Sequence, residues 1–223
     1  MQPQEKHILD TWHQNAKPWM DAIANNEIES RLLVTNQAII DAVLSLKPLS
    51  VWDVGCGEGW LSRAFQQAGI KTFGTDAIPE LVAAAAQKGG NYAVSSYQQI
   101  INKDFSPPNL FDAIVFNFSL FGNEMVSELL GSIRRYISAG GRLVIQTLHP
   151  HTACGNEPYT NGWRQGSWAG FSEAFCNPAP WYFRTLESWV ALLNSCGFRL
   201  QSITEPIHPN TKKPASLIMI AGV

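Results

Sequence analysis

Residues 51–65, VWDVGCGEGWLSRAF, constrain the fold more than any other stretch of the sequence. An apolar run carries Asp53, the glycines Gly55, Gly57 and Gly59 follow, and an amphipathic pattern begins at once. Glycine adopts backbone conformations that other residues avoid, and it lets a ligand approach the main chain without an intervening Cβ. The stretch therefore predicts a tight turn from a strand into a helix, at the carboxyl end of a sheet strand where α/β folds bind ligands.

Short apolar runs alternate with helical patterns from residue 50 to residue 148. Strands that alternate with helices form a parallel sheet with helices on both faces, so the pattern predicts an α/β fold. Two further apolar runs, 198–205 and 216–222, are joined by a linker too short for a crossover helix, and we expect them to be antiparallel neighbours. The strands predicted within the alternation are 50–55, 71–76, 91–96, 111–118 and 141–148.

Two segments lie outside this alternation. Residues 1–47 have a helical pattern that Pro48 closes. Residues 149–184 are rich in aromatic residues, glycine and proline, and their pattern is irregular. A helix follows, with Thr185 as its predicted N-cap and Gly197 just after its end.

Composition narrows the classes of protein. The chain has 223 residues, enough for one domain, and 15% of them are charged, below the roughly 25% that is typical. The net charge is −2 and the largest basic cluster is Lys212 with Lys213, which disfavours nucleic acid as a partner unless folding assembles a basic patch. The four cysteines are far apart and predict neither a metal site nor a disulfide framework. With no signal pattern and no long apolar run, we expect a soluble, cytoplasmic protein without a membrane segment.

Two features distinguish the kind of cofactor. A dinucleotide fingerprint, G-x-G-x-x-G, would place a glycine where this chain has Trp60. Asp76 ends the second predicted strand, where an acid accepts the ribose hydroxyls of a nucleoside, and Asp53 beside the turn suits a cationic amino group and would repel phosphates. The pattern favours a cofactor with a nucleoside and an amino-acid tail over one with a pyrophosphate. A tight turn without any ligand is the structural alternative.

The stretches VWDVGCGEGWLSRAF and GTDAIPELVAAA together resemble the class I S-adenosylmethionine-dependent methyltransferases. The resemblance continues through FDAIVFNFSLFG and ISAGGRLVIQT, covers residues 50–148, and is extended by RTLESWVALLNSCGFRL. It implies a Rossmann-like, seven-stranded, mostly parallel sheet whose last strand is antiparallel, with S-adenosyl-L-methionine as cofactor and methyl transfer as activity. We expect a single domain over residues 1–223, in which 1–47 form a helical lid, as in this family, and the aromatic residues of 149–184 form a substrate cap.

The resemblance assigns roles to the residues of the first two turns. Gly55, Gly57 and Gly59 would line the methionine part of the cofactor. Asp53 would lie near its amino group, and Asp76 would hold the ribose.

The remaining cofactor contacts depart further from the family pattern. Ala77 and Ile78 would lie against the nucleoside, with Ile78 over a face of the adenine. Many members carry an aspartate after the third strand; here Ser96 or Tyr97, or a backbone carbonyl, would have to bind the adenine amine. Asn117, at the end of the fourth strand, either faces the sulfonium end of the site or satisfies nearby backbone.

The catalytic candidates follow from the chemistry. Because the cofactor carries an activated methyl group, the protein mainly positions the nucleophile, and a base helps when the acceptor is a hydroxyl or a protonated amine. His149 and His151 follow the fifth strand and are candidate bases, since a histidine titrates near neutral pH; the alternative is that they only orient the loop. Tyr182, with Glu124 and Arg184, is a further candidate for contacting the acceptor.

The acceptor is the least defined part of the prediction. An N-P-P-Y-like signature is missing after the fourth strand, and this absence together with the mild acidity favours a small molecule over a tRNA or a protein. The aromatic segment 149–184 supplies either an apolar substrate pocket or a satellite hydrophobic cluster, and Trp12, Trp19 and Arg31 act either as a lid or in helix packing. The competing hypotheses are a non-catalytic S-adenosylmethionine-binding module and a nicotinamide-dependent oxidoreductase; the pattern leaves the oligomeric state open.

Overall fold

The computed structural model describes residues 2–223 and confirms the predicted α/β fold. The strands are β1 (Ser50–Val54), β2 (Lys71–Asp76), β3 (Tyr92–Val94), β4 (Phe111–Asn117), β5 (Ile137–Thr147), β6 (Gly162–Arg164), β7 (Trp181–Phe183), β8 (Arg199–Thr204) and β9 (Leu217–Gly222). The α-helices are α1 (Pro3–Gln14), α2 (Ala16–Ala24), α3 (Asn36–Leu44), α4 (Trp60–Gln67), α5 (Pro79–Gln87), α6 (Tyr97–Asn102), α7 (Glu124–Ile133), α8 (Pro150–Ala153) and α9 (Leu186–Ser195). Within residues 2–223, no helix is long and apolar enough to cross a membrane.

Seven strands form the main sheet in the order β3-β2-β1-β4-β5-β9-β8. The pairs among β1 to β5 are all parallel. The last strand, β9, is antiparallel to both of its neighbours, β5 and β8. The predicted antiparallel pair and the predicted antiparallel last strand are therefore confirmed.

The sheet is buried on both faces because its central strands are apolar at successive positions. In β4, Ile114 and Phe116 belong to a core shared with α6, α7 and α9, whereas Ala113 and Val115 belong to a core shared with α3 and α4. Successive side chains of a strand point to opposite faces, so a continuous apolar run serves two helix layers at once. The chain leaves β1 toward one layer and β4 toward the other, which opens a crevice between their carboxyl ends.

The N-terminal segment is helical, as predicted, and crosses the carboxyl edge of the sheet. Ala16 at the start of α2 packs with Ile78 and Leu81 near the start of α5. A π-helical turn, Arg31–Thr35, joins this segment to α3. Such turns widen a helix locally and are frequent at functional sites.

Part of the segment 149–184, predicted as irregular, is a two-stranded antiparallel sheet of β6 and β7. Trp163 pairs with Tyr182 across it, with ring centroids 5.5 Å apart in an edge-to-face arrangement. Each strand has only three residues, too few for a periodic pattern to appear in the sequence. The aromatic pair stabilises this short sheet from one face.

The ring of Trp52 belongs to the core that β4 shares with α6, α7 and α9. Removing this ring tests how much that core contributes to stability. Trp52 is fully buried, donates from Nε1 to Thr75 Oγ1 at 3.0 Å, and contacts the rings of Phe111 and Tyr136. We expect Trp52→Ala to lower the free energy of unfolding by about 3–5 kcal/mol, measured by urea denaturation, because it creates a cavity and orphans a hydroxyl. Leu49→Ala, at a position 79% exposed, is the matched control, and an equal loss in both variants would contradict the prediction.

Candidate functional site

A cavity of about 660 Å³ lies at the carboxyl edge of the sheet. Its floor is made by the turns that follow β1, β2 and β4, and its roof by α1 and residues 166–181. The volume falls within the roughly 300–1,000 Å³ range of small-molecule sites. The cavity occupies the crevice where the chain turns to opposite faces of the sheet, which is where α/β folds bind ligands.

Most of the residues predicted to bind a cofactor surround this cavity. They are Asp53, Gly55, Gly57, Asp76, Ala77, Ile78, Ser96, Tyr97 and Asn117. Ser96 also caps α6 in a capping box with Gln99, a helix that the sequence pattern missed.

The glycine turn after β1 is compact because two of its glycines have neighbours where a side chain would stand. A Cβ on Gly55 would lie 2.5 Å from Ser119 Cβ, so glycine allows the turns after β1 and β4 to touch. A Cβ on Gly59 would lie 2.6 Å from Tyr92 Oη, and its φ of +79° is left-handed. Gly59 therefore lies behind the cavity and starts α4, whereas Gly55 and Gly57 line the cavity.

The carboxylate of Asp76 connects two turns of the floor. Its Oδ2 accepts from the backbone N–H of Gly57 at 2.8 Å and its Oδ1 from that of Ile78 at 3.0 Å. Burial raises its pKa, and these backbone hydrogen bonds oppose the rise. Each carboxylate oxygen keeps acceptor capacity, so Asp76 presents two oriented acceptors to the cavity.

Asp53 lines the cavity from within β1. It is 1% exposed, and its Oδ2 accepts from Ser62 Oγ at 2.8 Å. Burial raises its pKa to about 7, with a further contribution from the negative charge of Asp76. A cation bound beside Asp53 would favour the ionised form.

Arg31 is a cation that attracts Glu58 electrostatically but has no carboxylate within salt-bridge distance in the described chain. Its guanidinium stacks between the rings of Trp60 and Trp19, 4.7 and 5.5 Å from their centroids, and Nε donates to Asn36 Oδ1 at 3.2 Å. Burial lowers its pKa to about 10, so it stays charged at neutral pH. In the described chain no carboxylate forms a salt bridge with it, and it lines the cavity. A desolvated guanidinium of this kind is suited to an anionic group of a ligand.

Gln146, fully buried in β5, orients Asn117. Gln146 Nε2 donates to Asn117 Oδ1 at 2.7 Å and to the carbonyl oxygen of Thr35 at 3.1 Å, while its Oε1 accepts from Ser216 Oγ at 3.1 Å. Because Asn117 Oδ1 is engaged, the amide of Asn117 offers its N–H donors to the cavity. The partner of Asn117 is thus a side chain of the neighbouring strand, and the same glutamine holds the π-helical turn that carries Arg31.

The structure does not bring the three catalytic candidates to the cavity. His149 is buried and its Nε2 contacts Glu205 Oε1 at 2.6 Å. His151 is exposed in α8, and Tyr182 lies in β7 under the guanidinium of Arg184 at 4.8 Å. The turn after β5 enters α8 at once and carries both histidines away, so their role as bases stays a prediction that this arrangement does not support. Within residues 2–223, no three His, Cys, Asp or Glu side chains are grouped to hold a metal ion.

Helix α1 contributes Trp12, which the sequence analysis singled out, and three further residues that it did not. Glu5, Ile8, Leu9 and Trp12 all line the cavity, and their spacing of three and four places them on one face of the helix. The sequence signal that could have identified this face of α1 is an acid, Glu5, within an otherwise apolar helical stripe.

The two parts of the roof are hydrogen-bonded to each other. Asn15 Nδ2 donates to the carbonyl oxygen of Cys176 at 2.9 Å and Asn15 Oδ1 accepts from its backbone N–H at 2.9 Å. Thr11 Oγ1 donates to the carbonyl oxygen of Asn177 at 2.9 Å. These bonds hold α1 against the segment 166–181 above the cavity.

The sequence and the fold of this chain were compared with those of known proteins, and both comparisons found methyltransferases. A sequence profile of a methyltransferase domain matches residues 25–203. A ubiquinone biosynthesis O-methyltransferase from Xanthomonas oryzae pv. oryzae is 27% identical over 147 residues, which are 63% of this chain and 60% of that protein. The chain therefore spans less than two thirds of the length of this relative.

Solved structures share the fold. An S-adenosylmethionine dependent methyltransferase from Mesorhizobium loti superposes with a TM-score of 0.62 and 20% identity, over 81% of this chain and 95% of that chain. A DhpI–SAM–HEP complex superposes with a TM-score of 0.65 and 15% identity, over 100% of this chain and 99% of that chain. At these identities the likeness establishes the arrangement of the sheet and helices.

The raised pKa of Asp53 makes stability depend on pH. Between its ordinary value of 3.8 and its folded value of about 7, the folded state binds a proton that the unfolded state has released. Asp53 therefore contributes stability at low pH that is lost as the pH rises through 7. We expect Asp53→Asn, which keeps the acceptor for Ser62, to raise the free energy of unfolding more at about pH 8 than at about pH 4, measured by urea denaturation.

Asp112 serves as the control because its pKa is shifted in the opposite direction to that of Asp53. Burial raises its pKa, but hydrogen bonds from Ser138, Leu49 and Ser50 outweigh this effect and lower it. We expect Asp112→Asn to lose stability at high pH and little at low pH. The same pH trend in both variants would show that Asp53 is not ionising in a buried site.

Proposed function

This chain belongs to the methyltransferase domain family, and on that premise we propose that it transfers a methyl group from S-adenosyl-L-methionine to a small-molecule acceptor. One observation carries the proposal. A single cavity holds, at separate places, the oriented carboxylate of Asp76 and the unpaired guanidinium of Arg31. These two groups complement the ribose hydroxyls of a nucleoside and the carboxylate of an amino acid.

The nucleoside half would lie against the turns after β2 and β3. Asp76 would accept the two ribose hydroxyls, because its oxygens are held in place by backbone N–H groups and keep free lone pairs. Ala77 and Ile78 would contact the base, with Ser96 and Tyr97 on its other side. Tyr97 itself donates to the carbonyl oxygen of Ser119 at 3.0 Å, which fixes its ring.

The amino-acid half would lie over the glycine turn. Gly55 and Gly57 let it approach the main chain, and Asp53 would face its ammonium group. Arg31 would bind the carboxylate, and Asn117 would add N–H donors from the other side. Gly59 supports this turn from behind by allowing the close contact with α5 and Tyr92.

The bound cofactor would supply an activated methyl group for in-line transfer to the acceptor, with S-adenosylhomocysteine as the leaving group. The chain's own part is to orient the acceptor and to exclude water from it. The roof and the turn after β4 do both: Trp12, Phe121, Trp168 and Phe171 surround the cavity with aromatic rings. An apolar lining with few polar groups fits a small, partly apolar acceptor, and the relative named for ubiquinone biosynthesis agrees with that class.

Titration calorimetry with S-adenosylmethionine and S-adenosylhomocysteine tests the proposal directly. We expect saturable binding of both and no binding of NAD. Turnover to S-adenosylhomocysteine with a panel of small acceptors then distinguishes an enzyme from a non-catalytic binding module. No binding of either compound, or binding of NAD in their place, would overturn the proposal.

Asp76 is expected to contribute to binding through the ribose. We predict that Asp76→Ala weakens binding of S-adenosylhomocysteine by more than tenfold, which is about 1.4 kcal/mol. Asp41→Ala, an exposed acid on α3, serves as the control and should bind as the wild type does. An unchanged affinity of Asp76→Ala would remove Asp76 from the ribose role.

Arg31 is expected to act only on the amino-acid half. We predict that Arg31→Leu weakens binding of S-adenosylhomocysteine by about tenfold, ~1.4 kcal/mol, whereas 5′-methylthioadenosine, which lacks the carboxylate, binds both proteins equally. Arg31→Lys should lose part of the affinity, since an ammonium replaces the charge without the planar guanidinium. An equal loss for both ligands would mean that Arg31 only supports the fold of the lid.

A further inference from the structure

Glu5 is an acid in an otherwise apolar position. It occupies the cavity-facing side of α1 together with Ile8, Leu9 and Trp12, and only 5% of it is exposed. Burying an acid in such surroundings is costly unless its oxygens are hydrogen-bonded. The contacts of its two oxygens therefore show what it does.

One oxygen has a structural role. Glu5 Oε1 accepts from the backbone N–H groups of Asn123 at 3.1 Å and Met125 at 2.9 Å, at the start of α7. A carboxylate at this end of a helix satisfies donors that have no intrahelical partner and interacts favourably with the helix dipole. This contact latches α1, and with it the roof, to the turn after β4.

The other oxygen is left without a partner. In the described chain no hydrogen bond reaches Glu5 Oε2. The neighbouring cation, Arg184, attracts Glu5 electrostatically. It donates to the carbonyl oxygens of Gly122 and Asn123 at 2.8 and 2.9 Å and forms no salt bridge with Glu5. The structural role thus accounts for half of the carboxylate and leaves an acceptor at the cavity.

The aromatic rings around this region suit a flat or cationic group. Trp12 is stacked on Phe121, with centroids 6.2 Å apart and an angle of 27° between the planes, and Trp168 meets Trp12 edge-on at 6.0 Å. The other charged side chains of the cavity, Asp53, Asp76 and Arg31, are accounted for by the amino-acid tail and the ribose. Glu5 is the charged group of the cavity that the proposed function leaves unused.

We infer that Glu5 Oε2 accepts a hydrogen bond from an N–H donor of the molecule bound in the cavity, a role that rests on the proposed function and adds a specificity determinant to it. Besides the ammonium group assigned to Asp53, two bound groups carry such a donor: the exocyclic amine of the cofactor's adenine and an amino group of the acceptor. In the first case an acid from α1 would supply the acceptor for the adenine amine, since the stretch after β3, SSYQQI, contains no acid. In the second case the site selects nitrogen-bearing acceptors.

Glu5→Gln is the discriminating variant because it separates the two oxygens. Its amide oxygen still accepts from the α7 backbone, while its NH₂ replaces the free acceptor with a donor. Glu5→Ala removes the latch as well and reports on the structural role. Thermal unfolding of both variants checks that Glu5→Gln remains folded as the wild type does.

The first arm measures binding of S-adenosylhomocysteine and of S-inosylhomocysteine, in which a carbonyl replaces the adenine amine. If Glu5 binds the adenine, the wild type prefers the adenine compound and Glu5→Gln loses about tenfold in affinity for it together with that preference. The second arm measures binding of benzylamine and of benzyl alcohol to protein saturated with S-adenosylhomocysteine. If Glu5 binds the acceptor, the wild type prefers the amine, and Glu5→Gln removes this preference without changing affinity for S-adenosylhomocysteine.

Either preference, lost in Glu5→Gln, supports the inference and identifies the source of the N–H donor. Unchanged preferences in both arms would overturn it and leave Glu5 as a latch alone. Failure of the wild type to bind S-adenosylhomocysteine at all would instead refute the proposed function, so the two failures are distinguishable.

Discussion

The pair of backbone hydrogen bonds accepted by Asp76 is the constraint on which the site depends. One comes from the turn after β1, at Gly57, and the other from the start of α5, at Ile78. Two chain segments that meet only because β1 and β2 are parallel neighbours are thereby fixed to each other. The carboxylate is buried against its own preference for water, and these donors offset part of the cost. The acid is therefore held as an oriented acceptor before any ligand arrives.

The roof of the cavity is stabilised by a different kind of contact. Helix α1 is latched at one end by Glu5 to the start of α7, and at the other end by Asn15 to the main chain of Cys176. Between these points the cavity is lined mainly by apolar and aromatic side chains. The few charged groups thus stand in a medium of low polarity, where an electrostatic contact with a ligand is stronger than in water.

The sequence predicted the main sheet well because the physics there is local. Strands buried on both faces are continuous apolar runs, and all seven predicted strands exist. The largest differences are at β3, which is three residues long, and at β5, which begins at Ile137, four residues before its predicted start. The hairpin of β6 and β7 was missed because each strand is three residues long. Helix α6 was missed although Ser96 and Gln99 form a readable capping box. The prediction for His149 and His151 assumed that the chain after β5 stays at the cavity, whereas it turns directly into α8.

The sequence by itself determined the glycine turn, the acids Asp53 and Asp76, and the succession of the seven main-sheet strands along the chain, because spacing along the chain decides local conformation. Only the tertiary structure decided that Arg31 is an unpaired cation, that Gln146 orients Asn117, and that half of the Glu5 carboxylate is free. Each of these facts depends on which groups from distant parts of the chain remove or supply a hydrogen-bond partner. Burial and hydrogen-bond pairing depend on how distant segments pack in three dimensions, and the spacing of residues along the chain does not determine that packing.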